Sequence, residues 1–386
     1  MLGEEYVKLA FRLNKHVVGL VDSYFGPGRL EEEVEAEQVV PLPKLKEHCA
    51  SLKASVGAHG RNEEHRVYLL KQLDALQAQI DERLGLVSSF QTYARRLFDV
   101  DGGPADETEL QTFRQHLSVA MSELGYAGDL RSAILKWEED QVIGGQPMFD
   151  LVNVLLHDAR ARTNAMIDLP QGEEVAVESV QNRPWSGYNW YQGNFRSLIQ
   201  INTDLPRTRL EIEDLVTHEA YPGHHTDHAS KEKALYVEQD LVEASILLIN
   251  TPSSVMSEGL ASYAHALICE GVDPPRKAAR LLRKLRRGCD LNACLMLHAQ
   301  GTNPDTVQRY LETNALVTTE RARKRLEFVT DPLWRAYAHT YWKGERLVEQ
   351  AFAQARAAGK TREVTDLLYK ELLCPTTLVK KVREIC

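Results

Sequence analysis

No stretch of this 386-residue chain is apolar over anything near the roughly 20 residues that a bilayer-crossing helix needs; the nearest is the short run from Ala244 to Ile249. Cysteine is sparse, and none of the six (Cys49, Cys269, Cys289, Cys294, Cys374, Cys386) forms a CxxC pair, which excludes a zinc knuckle and a dithiol redox motif. They read as buried or terminal thiols of a reducing compartment. Positive charge is also in deficit. With 46 Lys and Arg against 55 Asp and Glu the net charge is -9, which disfavours nucleic acid and anionic membrane as partners. The segment Met1-Leu2-Gly3-Glu4-Glu5 carries acid where a secretory signal carries base, so the expected location is cytoplasmic. Internal repeats and low-complexity segments are absent.

What is present is ordinary for a folded, water-soluble chain: 43% hydrophobic and 26% charged residues, with a mean hydropathy of -0.36. The length suits two or three compact units, or one fused unit. One basic run, Arg280 to Arg287, is interrupted by Leu281, Leu282 and Leu285 at helical spacing and reads as a solvated helix face.

From Glu4 to Leu97 apolar residues recur three and four apart, a helical scaffold broken at Gly26-Pro27-Gly28, which ends a first helix, and at Pro41-Leu42-Pro43. Asp101-Gly102-Gly103-Pro104 is the strongest loop signal of the first half, and it divides the chain into residues 1–100 and a catalytic region, 101–386. Character changes at about 171–206. Val175, Val177 and Val180 suggest one strand, Arg196 to Asn202 alternates as a half-buried strand should, and Arg183 to Tyr191 between them packs four aromatics around two breakers. After Pro206, Thr208 and Glu211 have capping-box spacing, predicting a helix through His218 and Glu219. Later helices are expected at Ser254–Glu270, Pro275–Gln300, Asp305–Asn314, Thr318–Val329 and Pro332–Ala358.

The chemistry concentrates in His218-Glu219-Ala220-Tyr221-Pro222-Gly223-His224-His225. In a helical zinc hydrolase, histidines at i and i+4 share one face and a Glu at i+1 points at metal-bound water. Here position 222, where the second His belongs, is Pro. On a straight helix residue 224 would lie about 240° around from 218, so the chain must bend for one metal to bridge them. Pro222 removes an intrahelical hydrogen bond and Gly223 opens backbone angles closed to other residues, so an expanded turn there would bring His224 to the i+4 place. His225, nearly in phase with His218 but about 10.5 Å along the axis, is the rival ligand. Asp227 and Glu243 are alternative partners for the second nitrogen of a ligand histidine.

The run HEAYPGHH, preceded by NRPWSGYNWY and INTDLP and followed by SEGLASYA, resembles the bacterial proteins called domain of unknown function 885, which bear an HExxPGHH signature. That family looks like a distant branch of the gluzincin metallopeptidases, helical proteins that use His, His and a Glu from a later helix. The resemblance covers about residues 175 to 350. It implies a mainly α, gluzincin-like fold with a small β-sheet beside the active-site helix, His218 and His224 as ligands, Glu219 as general base and Glu258 as third ligand. The sequence departs from the family at Leu260, where Trp is frequent, and at Arg335-Ala336-Tyr337, where Pro-Gly-Gln stands upstream of a Tyr-x-x-Gly; the latter survives as Tyr341-Trp342-Lys343-Gly344.

The implied activity is a zinc peptidase acting on short peptides, with Tyr341 donating to the developing oxyanion; Mn, Fe and Co suit the same ligands. Tyr188, Asn194, Arg196 and His339 are candidates for substrate contact, and the strand Ser197–Asn202 for pairing with an extended peptide at its edge. Hydrolysis of another amide and a structural metal site without turnover are the competing readings. Glu219 discriminates against the last, because a structural site needs no carboxylate beside the metal.

Overall fold

The computed structural model describes residues 2–144, 146–183, 185, 187–204, 207–269 and 273–386. Met1, Pro184, Ser186, Leu205, Pro206 and Glu270, which figure in the sequence reading, lie outside them. The described chain is mainly helical with small sheets, and no described helix is long and apolar enough to cross a membrane.

In the N-terminal part the apolar stripes pack on one another. The helix Glu63–Arg83 starts where the Asn62 side chain accepts from the His65 amide, and its Leu69, Leu73, Leu76 and Ile80 meet Leu9, Leu13, Leu45 and Cys49 of the helices Leu2–Asn14 and Leu42–His59. This core also includes Val242, Ile246 and Leu248. The link is a strand the helical pattern concealed. Val21–Tyr24 pairs antiparallel with Ile246–Leu248, so Gly26-Pro27-Gly28 does not end a helix but follows a strand and opens the helix Gly28–Glu35. Pro27 has extended backbone angles at its N-cap position.

The region of changed character forms a three-stranded sheet in the order Glu174–Val180, Arg196–Asn202, Gly187–Gly193. The aromatic stretch is thus itself a strand, antiparallel to Arg196–Asn202 with Asn189 opposite Ile199. This overturns one expectation: Arg196–Asn202 is the central strand, paired on both sides, and has no edge for a peptide. Gly193, Asn194 and Phe195 all take positive φ in the tight reversal between the strands.

Of the later helices, Pro252–Ile268, Pro274–His298, Pro304–Asn314 and Thr319–Thr330 lie within two residues of expectation. The last begins later than expected, at Ala338, because Asp331 accepts from the amides of Leu333 and Trp334 and holds that segment in turns. The basic run is not a solvated face either. Its helix packs against both Glu107–Glu123 and Ala338–Ala358, and Arg286, 6% exposed, forks onto Glu138 at 2.6 and 3.0 Å. Arg283 and Arg287 meet Glu345 at 3.1 and 2.8 Å.

Helices Pro252–Ile268 and Ala338–Ala358 form the most intimate pair. A Cβ on Gly259 would lie 2.4 Å from the Gly344 carbonyl oxygen, and one on Gly344 would lie 2.4 Å from that of Val255. Backbone touches backbone there, which sets Glu258 and Tyr341 on neighbouring walls of one cavity.

Candidate metal centre

His218 lies in the last turn of the helix Arg209–Glu219, which opens on the expected Thr208–Glu211 capping box. The chain then breaks rather than expanding a turn. Ala220 leaves helical angles, the Tyr221–Pro222 peptide is cis, and a new helix starts at His224. Gly223 folds so tightly under the first helix that its amide donates to Thr217 O at 3.0 Å, and a Cβ there would fall 1.9 Å from His218 O. Only glycine fits this crossing.

The break sets the two histidine rings 4.8 Å apart and nearly perpendicular. Their Nε2 atoms converge on Glu258 Oε2, His218 at 3.3 Å and His224 at 3.6 Å. Two donors bound to one tetrahedral zinc stand about 3.4 Å apart, so this spacing is that of a shared ion. Three ligand atoms from these residues all lie within 4.8 Å of one another. Glu258 Oε2 is buried with no hydrogen-bond partner of its own, which in a carboxylate this enclosed is costly unless a cation faces it. The donor set therefore fits a divalent metal.

Each ligand is braced from behind. Tyr337 donates its hydroxyl to Glu258 Oε1 at 2.9 Å, a contact the sequence reading missed. His224 Nδ1 meets Ser257 Oγ at 3.1 Å, while the buried Asp227, in the same helix as His224, pairs with Lys231 at 2.6 Å. The other expected partner, Glu243, pairs with His65. Burial pushes the His224 imidazole down, but Glu258 and Glu219 more than offset this and bring it up to about 9. His228, stacked on His224 at 5.7 Å, is driven down to about 3, chiefly by burial. Glu219 ends the first helix inside the same cavity; burial raises its carboxyl while His218 and His224 oppose the shift. Its backbone oxygen accepts from Asn189 Nδ2 at 2.6 Å, tying the sheet to the site.

Tyr341 and Tyr188 line the cavity. The Tyr341 ring sits 6.4 Å from that of His218 and under the Arg287 guanidinium at 5.5 Å. Tyr188 donates its hydroxyl to Asp22 of the N-terminal strand. The remaining candidates are elsewhere. His225 is fully buried behind the break, bonded to Glu173 at 2.9 Å and Ser197 at 2.8 Å, and cannot reach the ligand cluster. Asn194 is a turn residue whose amide donates to Glu232. Arg196 points outward, its side chain 62% exposed beside Glu174. His339 is buried with Nδ1 on Ala336 O at 2.9 Å and its ring stacked on Phe98.

Two solved structures share the fold. One, described as "the putative lipoprotein from Colwellia psychrerythraea", superposes with a TM-score of 0.61 at 16% identity, covering 88% of this chain and 66% of that one. The other, described as "a putative lipoprotein of unknown function from Shewanella oneidensis", gives 0.59 at 13% identity, covering 89% and 72%. This chain thus spans just under two thirds of the first. No curated protein matches. The model of the family described as bacterial protein of unknown function (DUF885) matches residues 105–365, extending on both sides of the motif-bearing stretch, and the chain belongs to that family.

Proposed function

We propose that this protein is a metal-dependent hydrolase, a gluzincin-like peptidase that cleaves short peptides, with zinc as the preferred ion and HExxPGHH as its signature. The observation that carries the reading is the convergence of His218, His224 and Glu258 around an unpartnered carboxylate oxygen, with Glu219 lining the same cavity. Three protein ligands leave a fourth position open, which distinguishes catalytic from structural zinc.

A divalent metal held by these residues supplies Lewis acidity toward a scissile carbonyl and toward water. The chain supplies the rest. Glu219, its carboxyl raised by burial, takes a proton from the attacking water and returns it to the leaving amine. Tyr341, a neutral phenol held well above its usual range by burial, donates a hydrogen bond to the developing oxyanion. Gly187, Tyr188 and Asn189 bring the outer strand of the sheet to the cavity wall, where an extended substrate backbone can lie. Asp22 and Phe25 close the N-terminal side and favour short substrates. The same machinery works in the expected cytoplasmic location and in the setting implied by the lipoprotein descriptions of the two structural relatives.

Metal content by mass spectrometry on wild type and His224→Ala, together with hydrolysis of a mixed short-peptide library by wild type and Glu219→Gln, tests the reading. We expect one ion per chain, lost in His224→Ala, and cleavage reduced at least a thousandfold in Glu219→Gln. A metal-free wild type, or library cleavage undiminished in Glu219→Gln, would sink it.

A further inference from the structure

The cavity around the metal centre has two limbs of opposite charge. Toward the N-terminal helices it is lined by Asp22, Asp227, Glu243 and Glu371 besides the centre itself, with Lys231 as the single Lys or Arg among the described lining residues. The other limb, of about 420 Å³, shares His218, Glu219 and Tyr341 with the first and carries nine arginines and lysines against six carboxylates. In a chain of net charge -9 that concentration runs against the composition. Most of these cations are committed: Arg276 to Glu213, Arg283 and Arg287 to Glu345, Arg286 to Glu138, Arg321 to Glu211, and Arg325 to Asp290. Arg280 is different. Its Nε and Nη2 are buried with no hydrogen-bond partner, and no carboxylate pairs with it among the described residues. Arg287, though paired with Glu345, lies over Tyr341 at 5.5 Å, and the charge of Arg207 acts on Glu219, so guanidinium groups continue to the reaction centre.

We propose that this limb binds a carboxylate of the substrate, with Arg280 as its partner and Arg207 and Arg287 extending the field to the scissile bond; the substrate role rests on the hydrolase reading above. A guanidinium presents a planar fork of donors that matches a carboxylate in two-point contact. Buried donors lacking an acceptor are costly, and a ligand oxygen removes that cost. The carboxylate has two sources, the free chain terminus or an acidic side chain, and the opposite limb suits a substrate's amino end.

Isothermal titration of the full chain, stripped of metal with a chelator so that carboxylates cannot bind the ion, separates these sources. The probes are N-acetyl-glutamine, with only the α-carboxylate, N-acetyl-glutamate α-amide, with only the side-chain carboxylate, and N-acetyl-glutamine α-amide, with neither. We expect at least one acid to bind tenfold or more tighter than the neutral probe, its identity naming the source. That preference should collapse in Arg280→Gln and be partly kept in Arg280→Lys, with folding checked by circular dichroism. Equal binding of all three probes to wild type overturns the proposal whatever the variants do, as does a preference that persists in folded Arg280→Gln. Because the measurement needs no turnover, an acid preference without peptide cleavage indicts only the hydrolase reading, and peptide cleavage without an acid preference indicts only the carboxylate site.

Discussion

Glu258 is a carboxylate only 5% exposed, and a charge so enclosed must be matched on both oxygens. Tyr337 serves Oε1, and the two imidazole nitrogens face Oε2. Position 337 is one at which the sequence reading marks a departure from the family resemblance, and it is this chain's tyrosine that supplies the donor. Groups that orient a ligand from behind typically set tenfold to a hundredfold of metal affinity. Tyr337→Phe should therefore lose about that much in a competition titration against a chromophoric chelator, with an unchanged circular dichroism spectrum. Unchanged affinity would leave Tyr337 as packing alone. At this scale the sequence left two histidines in contention, and the reason is physical. What removes His225 from the centre is its bond to Glu173, 52 residues away, which no local spacing reports. Asn194 and Arg196 were misjudged for the same reason: proximity in sequence to a strand does not say which way its turn faces.

Among elements, periodicity revealed most helices because an amphipathic stripe repeats locally, and the capping box located the start of the ligand helix to the residue. Strands were harder. Val21–Tyr24 is four residues long with all of them half-buried, too short to alternate visibly, and the strand Gly187–Gly193 carries breakers among its aromatics, which leave no alternation to mark it as a strand. The central position of Arg196–Asn202 depends on two partners, one preceding it by 22 residues in register, and could not be read from its own pattern. One element-level feature was visible without its meaning. In Tyr341-x-x-Gly344, Gly344 seats Gly259 backbone to backbone, which sets Tyr341 in one cavity with Glu258. In Gly344→Ala the added methyl meets Val255 O at 2.4 Å, and the helices must part. We expect a loss of about 1–3 kcal/mol in urea unfolding, as for other overpacked cores, together with weaker metal binding. Unfolding as stable as wild type would show that the crossing has slack.

Across the whole molecule, the ligand helix is moored by buried ion pairs rather than by apolar contact alone. Burial would raise Glu211, Glu213 and Glu345, yet Arg321 acts on Glu211, His265 and Arg276 on Glu213, and Arg283 and Arg287 on Glu345, bringing each carboxyl down to about 2. These pairs tie Arg209–Glu219 to Thr319–Thr330 and Pro274–His298, and the latter to Ala338–Ala358. A folded-state value below the ordinary 4.5 means stability that is fully present above that pH and lost as the pH falls toward the folded-state value. Unfolding in urea should therefore lose on the order of 2 kcal/mol per such carboxylate between pH 6 and pH 3. Glu345→Gln separates this from general acid effects. It should lower stability at pH 6, because Arg283 and Arg287 are left underpaired, and it should shrink the difference between pH 6 and pH 3, because one depressed carboxyl has gone. If that difference stays at the wild-type size, Glu345 is not among the groups that make the fold sensitive to acid.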